Sequence, residues 1–318
     1  MTSTRTAPSR SPQSAPTSAP IALVGPTASG KSAAAIELAT RMGAEIVLID
    51  SMTVYRGMDV GTAKPSESER RGVPHHLVDM ADPSEPFSVA AFQRLAREAI
   101  ADIRKRDRMP FLVGGSGLYF RAVVDDLEFP GTDPLLRRSV EAEAAALGPK
   151  EMHARLAGFD PDAASRMEPT NLRRIVRALE VAALTGRPFS SFAAGWDRYP
   201  EDRARAAGVL VPAEALHIRI KERARRMLEG GLIEETTRLL DGEAQLQLTA
   251  SQAIGYAEAA EHLAGRITLE GAFETIVRRT KALARRQLAW FKRDPRIRWF
   301  EAGSAMEAVD EIKEHYRT

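Results

Sequence analysis

Residues 25–32 read GPTASGKS and fit the spacing Gly-x-x-x-x-Gly-Lys-Ser/Thr. Glycines at those points let successive backbone N–H groups close on phosphate oxygens. Lys31 adds a positive charge, and Ser32 offers a hydroxyl that can ligate Mg2+. Gly25, Pro26, Thr27, Ala28, Ser29, Gly30, Lys31 and Ser32 are therefore the candidate diphosphate- or nucleotide-binding residues, with Ser32 the candidate metal ligand. Asp50, at the end of the apolar run EIVLID, has three open roles: a water-mediated Mg2+ ligand, a general base, or a cap for the turn before Ser51. In FLVGGSGLYFRA (111–122), two glycines permit close backbone approach, Ser116 carries a hydroxyl, and Arg121 follows one or two turns later. The same pattern also fits a plain strand-to-helix turn with a serine N-cap. His75 and His76 are adjacent, so in an extended chain they point to opposite sides and make a poor metal site.

Two stretches are arginine-rich, and the second, with hardly an acid in it, favours a polyanion partner. TNLRRIVRALEV (170–181) places Arg173 and Arg177 on one helix face. Residues 278–298 hold nine Lys or Arg against one acid, Asp294, whereas a solvated helix face normally mixes both signs. Helical spacing puts Arg278, Lys281, Arg285 and Lys292 on one side, with Ile276, Leu283, Trp290 and Phe291 towards the core.

The elements that must position these groups alternate. Strands are predicted at 21–24, 45–50 and 109–115. A helix of good formers follows the loop, and VAAFQRLAREAIADIRKR supplies another before the third strand. This order predicts an α/β fold with a P-loop NTPase-like parallel sheet, helices on both faces, and ligands at the carboxyl ends of the strands. Residues 134–185 are helical in periodicity, punctuated by GP at 148 and DP at 160, and are read as a helical insertion. GVLVP (208–212) returns to the sheet. Two helices, a loop over 242–256, a long basic helix from about 271 to 293 and an edge strand at 297–300 complete the pattern. The division is a disordered tail over 1–20, a core at 21–129, an insertion at 130–205, and the rest of the core at 206–318.

The bulk composition narrows the classes. A net charge of +2 over 318 residues excludes a polycation, so any nucleic-acid surface must come from local segregation of charge. The chain has no cysteine, which excludes disulfides and thiolate metal sites and fits a reducing cytoplasm. No apolar run approaches the roughly 20 residues of a membrane span. A monomer is expected.

Taken together, GPTASGKS, LIDSMTVYRGMDVGTAKP, PHHLVD, DPSEPFSVAAF, LVGGSGLYFRAV, RRIVRALEV, SQAIGYAE and RRTKALARRQLAWF resemble the bacterial tRNA dimethylallyltransferases (tRNA isopentenyltransferases) over nearly the whole chain after the tail. The resemblance implies transfer of a dimethylallyl group from its diphosphate, with Mg2+, to the exocyclic amino nitrogen of the adenosine 3′ to the anticodon of tRNA. It implies that Lys31 and Ser32 serve the diphosphate, that Asp50 is the general base, and that Ser116 stands where the family commonly has threonine. It adds Arg121 as a charge near the diphosphate. It further implies tRNA contacts at Asp50, Ser51, Met52, Thr53, Ser116, Arg137, Arg173, Arg174, Ile175, Val176 and Arg177. Matching contacts follow at Gln252, Ala253, Ile254, Gly255, Tyr256, Ala257, Thr280, Lys281, Arg285, Arg286 and Gln287. The rival readings are a small-molecule or nucleotide kinase, which leaves the basic helix without a role, and an enzyme prenylating free adenine nucleotides, which needs no tRNA contacts.

Overall fold

Ile21–Val24 (β1) is an unbroken apolar run because both of its faces are covered. In the computed structural model, which describes residues 19–193, 195–242 and 246–317, it lies inside a six-stranded all-parallel sheet. The expected tail over 1–20 lies, save its last two residues, outside the described residues. Lys31–Met42 (α1) ends at Gly43, whose φ of 65° turns the chain directly into Ala44–Leu48 (β2). Glu67–Arg70 (α2), His75–His76 (β3) and Val89–Lys105 (α3) lead to Met109–Gly114 (β4) and Gly117–Val124 (α4). Pro134–Phe159 (α5), Pro161–Ser165 (α6) and Leu172–Thr185 (α7) form the helical insertion. Arg205–Leu210 (β5), Ala213–Glu229 (α8), Leu232–Leu240 (α9), Leu248–Ser251 (α10), Tyr256–Leu263 (α11) and Leu269–Phe291 (α12) follow. Ile297–Glu301 (β6) and Val309–Arg317 (α13) close the chain.

The spatial order is β3-β2-β4-β1-β5-β6, so the chain starts centrally, builds one half of the sheet and then crosses to build the other. One face is covered by α1 and α13, through Leu38, Ala35, Ile312 and Tyr316. The other is covered by α3, α4, α8 and α12, through Phe92, Phe120, Ile220 and Ile276. In α3 the buried positions Phe92, Ala96, Ile100 and Ile103 recur at helical spacing, and each large one contributes roughly 1.5–3 kcal/mol by leaving water.

The insertion has its own core of Val140, Met152, Leu156, Ile175 and Leu179. The GP pair breaks α5 as its sequence requires, with Gly148 at φ 80°. Asp160 caps α6 through the N–H of Ala163 and also accepts from the N–H of Ser190. Five elements depart from the expected pattern. The fifth strand begins at Arg205, ahead of the expected 208, because pairing to both β1 and β6 overrides the weak strand propensity of Ala206, Ala207 and Gly208. The expected loop over 242–256 contains α10, and α11 and α13 are additional helices. The two histidines form an edge strand in which His76 Nε2 meets the buried Glu45 carboxylate at 2.7 Å.

A buried charge network fastens the insertion to the core. Arg296 makes ion pairs with Asp125 and Asp294, each at 2.7 Å, with only 1% of its side chain exposed. Burial works against the charge, but the two carboxylates overcome it and hold the guanidinium above its ordinary pKa. Arg121 pairs with Asp125 and donates to the carbonyls of Gly195, Trp196 and Arg198, on the strand of chain returning from the insertion. Arg296→Met should leave two buried carboxylates short of a cation and destabilise the fold by about 3–4 kcal/mol. Urea unfolding measures this, and a midpoint unchanged from wild type would remove the network from the stability argument.

Candidate active site

At the carboxyl ends of the strands lies a cavity of about 690 Å3. The phosphate loop forms one wall with Thr27, Ala28, Gly30, Lys31 and Ser32. Gly25 (φ 145°) and Gly30 (φ 86°) adopt backbone angles that L side chains avoid, which is how the loop folds back over the start of α1. Lys31 is buried and donates from Nζ to the carbonyl of Pro26 at 2.7 Å. Burial, reinforced by the like charge of Arg223 and opposed by Asp50, brings the Lys31 pKa down to about 8.

Asp50, Ser51, Met52 and Thr53 line the cavity beside the loop. Asp50 Oδ1 accepts from the N–H of Met52 at 2.8 Å and of Thr53 at 3.3 Å. The capping role is thus realised, and the carboxylate at the same time faces the cavity. The loop is also tied to the basic helix: the Thr27 N–H donates to Gln287 Oε1 at 2.8 Å. Arg279, Thr280, Leu283 and Arg286 extend that wall, Gln252, Ala253 and Ile254 add another, and Arg173 reaches the cavity from α7.

Several expected site residues stand elsewhere. Arg121 is 3% exposed and committed to Asp125 and three carbonyls, so it is a structural bolt and not a charge beside the diphosphate. Ile175 and Val176 are buried in the insertion core and cannot touch RNA; they face away from the exposed Arg173 and Arg174. Arg177 donates to the carbonyls of Pro130 and Gly131 and pairs with buried Glu180. Arg137 pairs with Glu141. Gly255 and Tyr256 are buried, and Ala257 is half-buried. Ser116 is half-buried at the N-cap of α4, next to the lining Gly115. Lys281 is half-buried and Arg285 exposed, and among the described residues neither makes an ion pair. Trp290, expected in the core, is 39% exposed; its ring covers Gly117 and meets Trp196 edge-on.

Sequence reasoning missed the most basic wall. Arg219, Arg223 and Arg226 of α8 all line the cavity. Their spacing of four and three residues puts them on one helix face, which was the available signal. Arg223 Nη2 donates to the carbonyl of Thr62 at 3.0 Å, and Arg219 Nη1 is buried without a hydrogen-bond partner. Gly61, Thr62, Ala63 and Pro65, from the GTAKP segment, also line this side.

An all-parallel sheet with a glycine-rich loop after its central strand, opening on an arginine-walled cavity, defines an α/β core of P-loop-like fold. The chain belongs to the IPP transferase family, whose model matches residues 53–294. It is 50% identical to the tRNA dimethylallyltransferase of Salinispora tropica over 91% of this chain and 90% of that protein. It is 51% identical to that of Streptomyces coelicolor, over 90% of this chain and 91% of that protein. The crystal structure of a tRNA isopentenylpyrophosphate transferase from Bacillus halodurans superposes with a TM-score of 0.64 at 39% identity, covering 94% of this chain and 98% of that one. A eukaryotic dimethylallyltransferase acting on tRNA superposes with a TM-score of 0.76 at 25% identity, over 95% and 78% of the two chains.

Proposed function

We infer that the chain is a tRNA dimethylallyltransferase that takes its prenyl group from dimethylallyl diphosphate and attaches it to the exocyclic amino nitrogen of the adenosine 3′ to the anticodon. The observation that carries this reading is a single cavity joining the phosphate loop, Asp50 and the α8 and α12 arginines in a chain of this family. The loop N–H groups, Lys31 and Arg223 hold the diphosphate. The five-carbon chain lies along the apolar wall of Ile220, Ala224, Met227, Ile276 and Leu283. The adenine nitrogen attacks the allylic carbon, and the carbon–oxygen bond to diphosphate breaks. The amino proton passes to Asp50, and the negative charge gathering on the leaving group is met by the fixed cations and amides.

Among the described residues no group of three or more His, Asp or Glu could hold a metal. Ser32, which lines the cavity beside Lys31, is the residue whose hydroxyl would hold a Mg2+ carried in by the diphosphate. When bound, the ion neutralises charge on the departing diphosphate. RNA reaches the cavity over Arg173, Arg279 and Arg286, with Arg278, Lys281 and Arg285, which alternate with them along α12 outside the cavity lining, as phosphate partners; a stacked anticodon-loop adenine must swing out to enter. No helix among the described residues is long and apolar enough to cross a membrane. We take the enzyme to act as a cytoplasmic monomer.

Purified protein with Mg2+ and labelled dimethylallyl diphosphate should label unmodified tRNA without ATP. Labelling confined to free adenine nucleotide, or an absolute need for ATP, would overturn the reading.

A further inference from the structure

Glu235 sits in α9, 4% exposed, and no ion pair to it is found among the described residues. Its carboxylate is instead wrapped by backbone: the N–H groups of Asp59, Val60 and Gly61 donate to it at 3.0–3.3 Å. The Tyr256 hydroxyl adds a fourth donor at 2.5 Å. Burial, followed by that bond to Glu235, pushes the Tyr256 phenol above its ordinary pKa, so it remains a donor. Gly61 also donates to the Tyr256 oxygen at 3.2 Å, and a side chain at Gly61 would run into the Tyr256 ring.

A buried carboxylate normally needs a cation or several charge-assisted hydrogen bonds to offset its desolvation. Here the offset comes from three consecutive amides of one loop, so the loop cannot relax without exposing the charge to unpaired burial. The next residue along that loop, Thr62, is the one whose carbonyl receives Arg223. Lys64 fastens the far side by pairing with Asp59 and Asp79 and donating to the Tyr55 carbonyl at 2.9 Å. The loop is therefore held in register at both ends, and the Thr62 carbonyl is spent on a cavity arginine.

We propose that Glu235 is a positioning residue for prenyl-diphosphate binding: it fixes the 59–62 backbone, which through the Thr62 carbonyl aims the Arg223 guanidinium at the leaving group. The proposal rests on the reading of Arg223 as a diphosphate ligand. Glu235 touches neither the cavity nor the RNA wall. Its effect on the prenyl substrate should therefore appear without any change in tRNA affinity.

Titration calorimetry with inorganic diphosphate and Mg2+ at one fixed pH tests this separately from turnover. Glu235→Gln keeps the shape but turns a donor towards the three amides, and should weaken diphosphate binding about tenfold or more. Tyr256→Phe removes the fourth donor and the oxygen that shares the Gly61 N–H but leaves the carboxylate and its three amides, and should weaken it a few-fold. In an Arg223→Lys background, Glu235→Gln should cost little more, because the path it acts through is already broken. Equal losses in both backgrounds would make Glu235 a general structural residue and overturn the proposal, as would unaltered binding in a folded Glu235→Gln. Should Glu235→Gln fail to fold, Tyr256→Phe and the Arg223→Lys cycle built on it decide the same question. Failure of wild-type protein to bind diphosphate would instead sink the assignment of the cavity on which the proposal rests.

Discussion

Asp50→Asn should lower the rate of prenyl transfer to tRNA by about 10^2–10^4-fold, the range a positioned general base supplies. Asparagine is the informative replacement because of what the carboxylate does locally. Its Oδ1 holds the N–H groups of Met52 and Thr53, and an asparagine oxygen can keep both bonds while losing the ability to take a proton. Alanine would also release the turn and blur the two roles. With asparagine, tRNA affinity measured by filter binding should stay within a few-fold of wild type, so the loss falls on turnover and not on recognition. Turnover within tenfold of wild type would mean that the amino proton leaves by another route. A collapse of tRNA affinity would make Asp50 a binding residue.

The parts of this site that the sequence discloses are those contiguous in the chain. The phosphate loop is strand, turn and helix within a dozen residues, so its glycines, Lys31 and Ser32 carry their own context. Asp50 is legible because it ends an apolar run. Burial across distant segments is not legible in this way. Arg296 counts as one of nine basic residues in its stretch, but its partner Asp125 is 171 positions away and turns it from surface charge into buried bolt. Arg121 looked like a cation for phosphate for the same reason: nothing near it in sequence discloses the carbonyls of 195–198. Arg223 suffered the opposite error, as a helix with many charges reads as solvated until Thr62, 161 residues away, is brought against it.

The segment 173–177 shows a further limit. A motif carried over as a block ignores that helix faces alternate, and Ile175 and Val176 turn inward between arginines that do not. Trp290 was assigned to the core by periodicity, but the return of the insertion gives it Trp196 as a partner at the surface.

The second large effect concerns the cations on the leaving group. Lys31→Ala should reduce kcat/KM for dimethylallyl diphosphate by about 10^2–10^3-fold, the scale for losing one fixed donor to developing charge. A pH experiment tests the reason. In the free protein the Lys31 pKa is lowered from 10.5 to about 8, chiefly by burial, with Arg223 adding repulsion. Lowered means that the neutral amine is the form this pocket favours above pH 8, whereas an anionic ligand favours the ammonium. Binding must then pull a proton onto Lys31, and affinity should fall as pH rises through about 8, by up to tenfold for each further unit. An alkyl diphosphate has lost its last phosphate proton well below this range, so the ligand does not contribute. Calorimetry in two buffers of different ionisation enthalpy should register proton uptake by wild type above pH 8 and none by Lys31→Ala, whose weaker affinity should be flat there. A wild-type affinity that stays level through this window would place a permanently charged Lys31 in the cavity and shift the pH sensitivity of catalysis to another group. Arg223→Ala supplies the complementary case: removing the like charge should raise the Lys31 pKa, so the remaining affinity should persist to higher pH even as its absolute value drops.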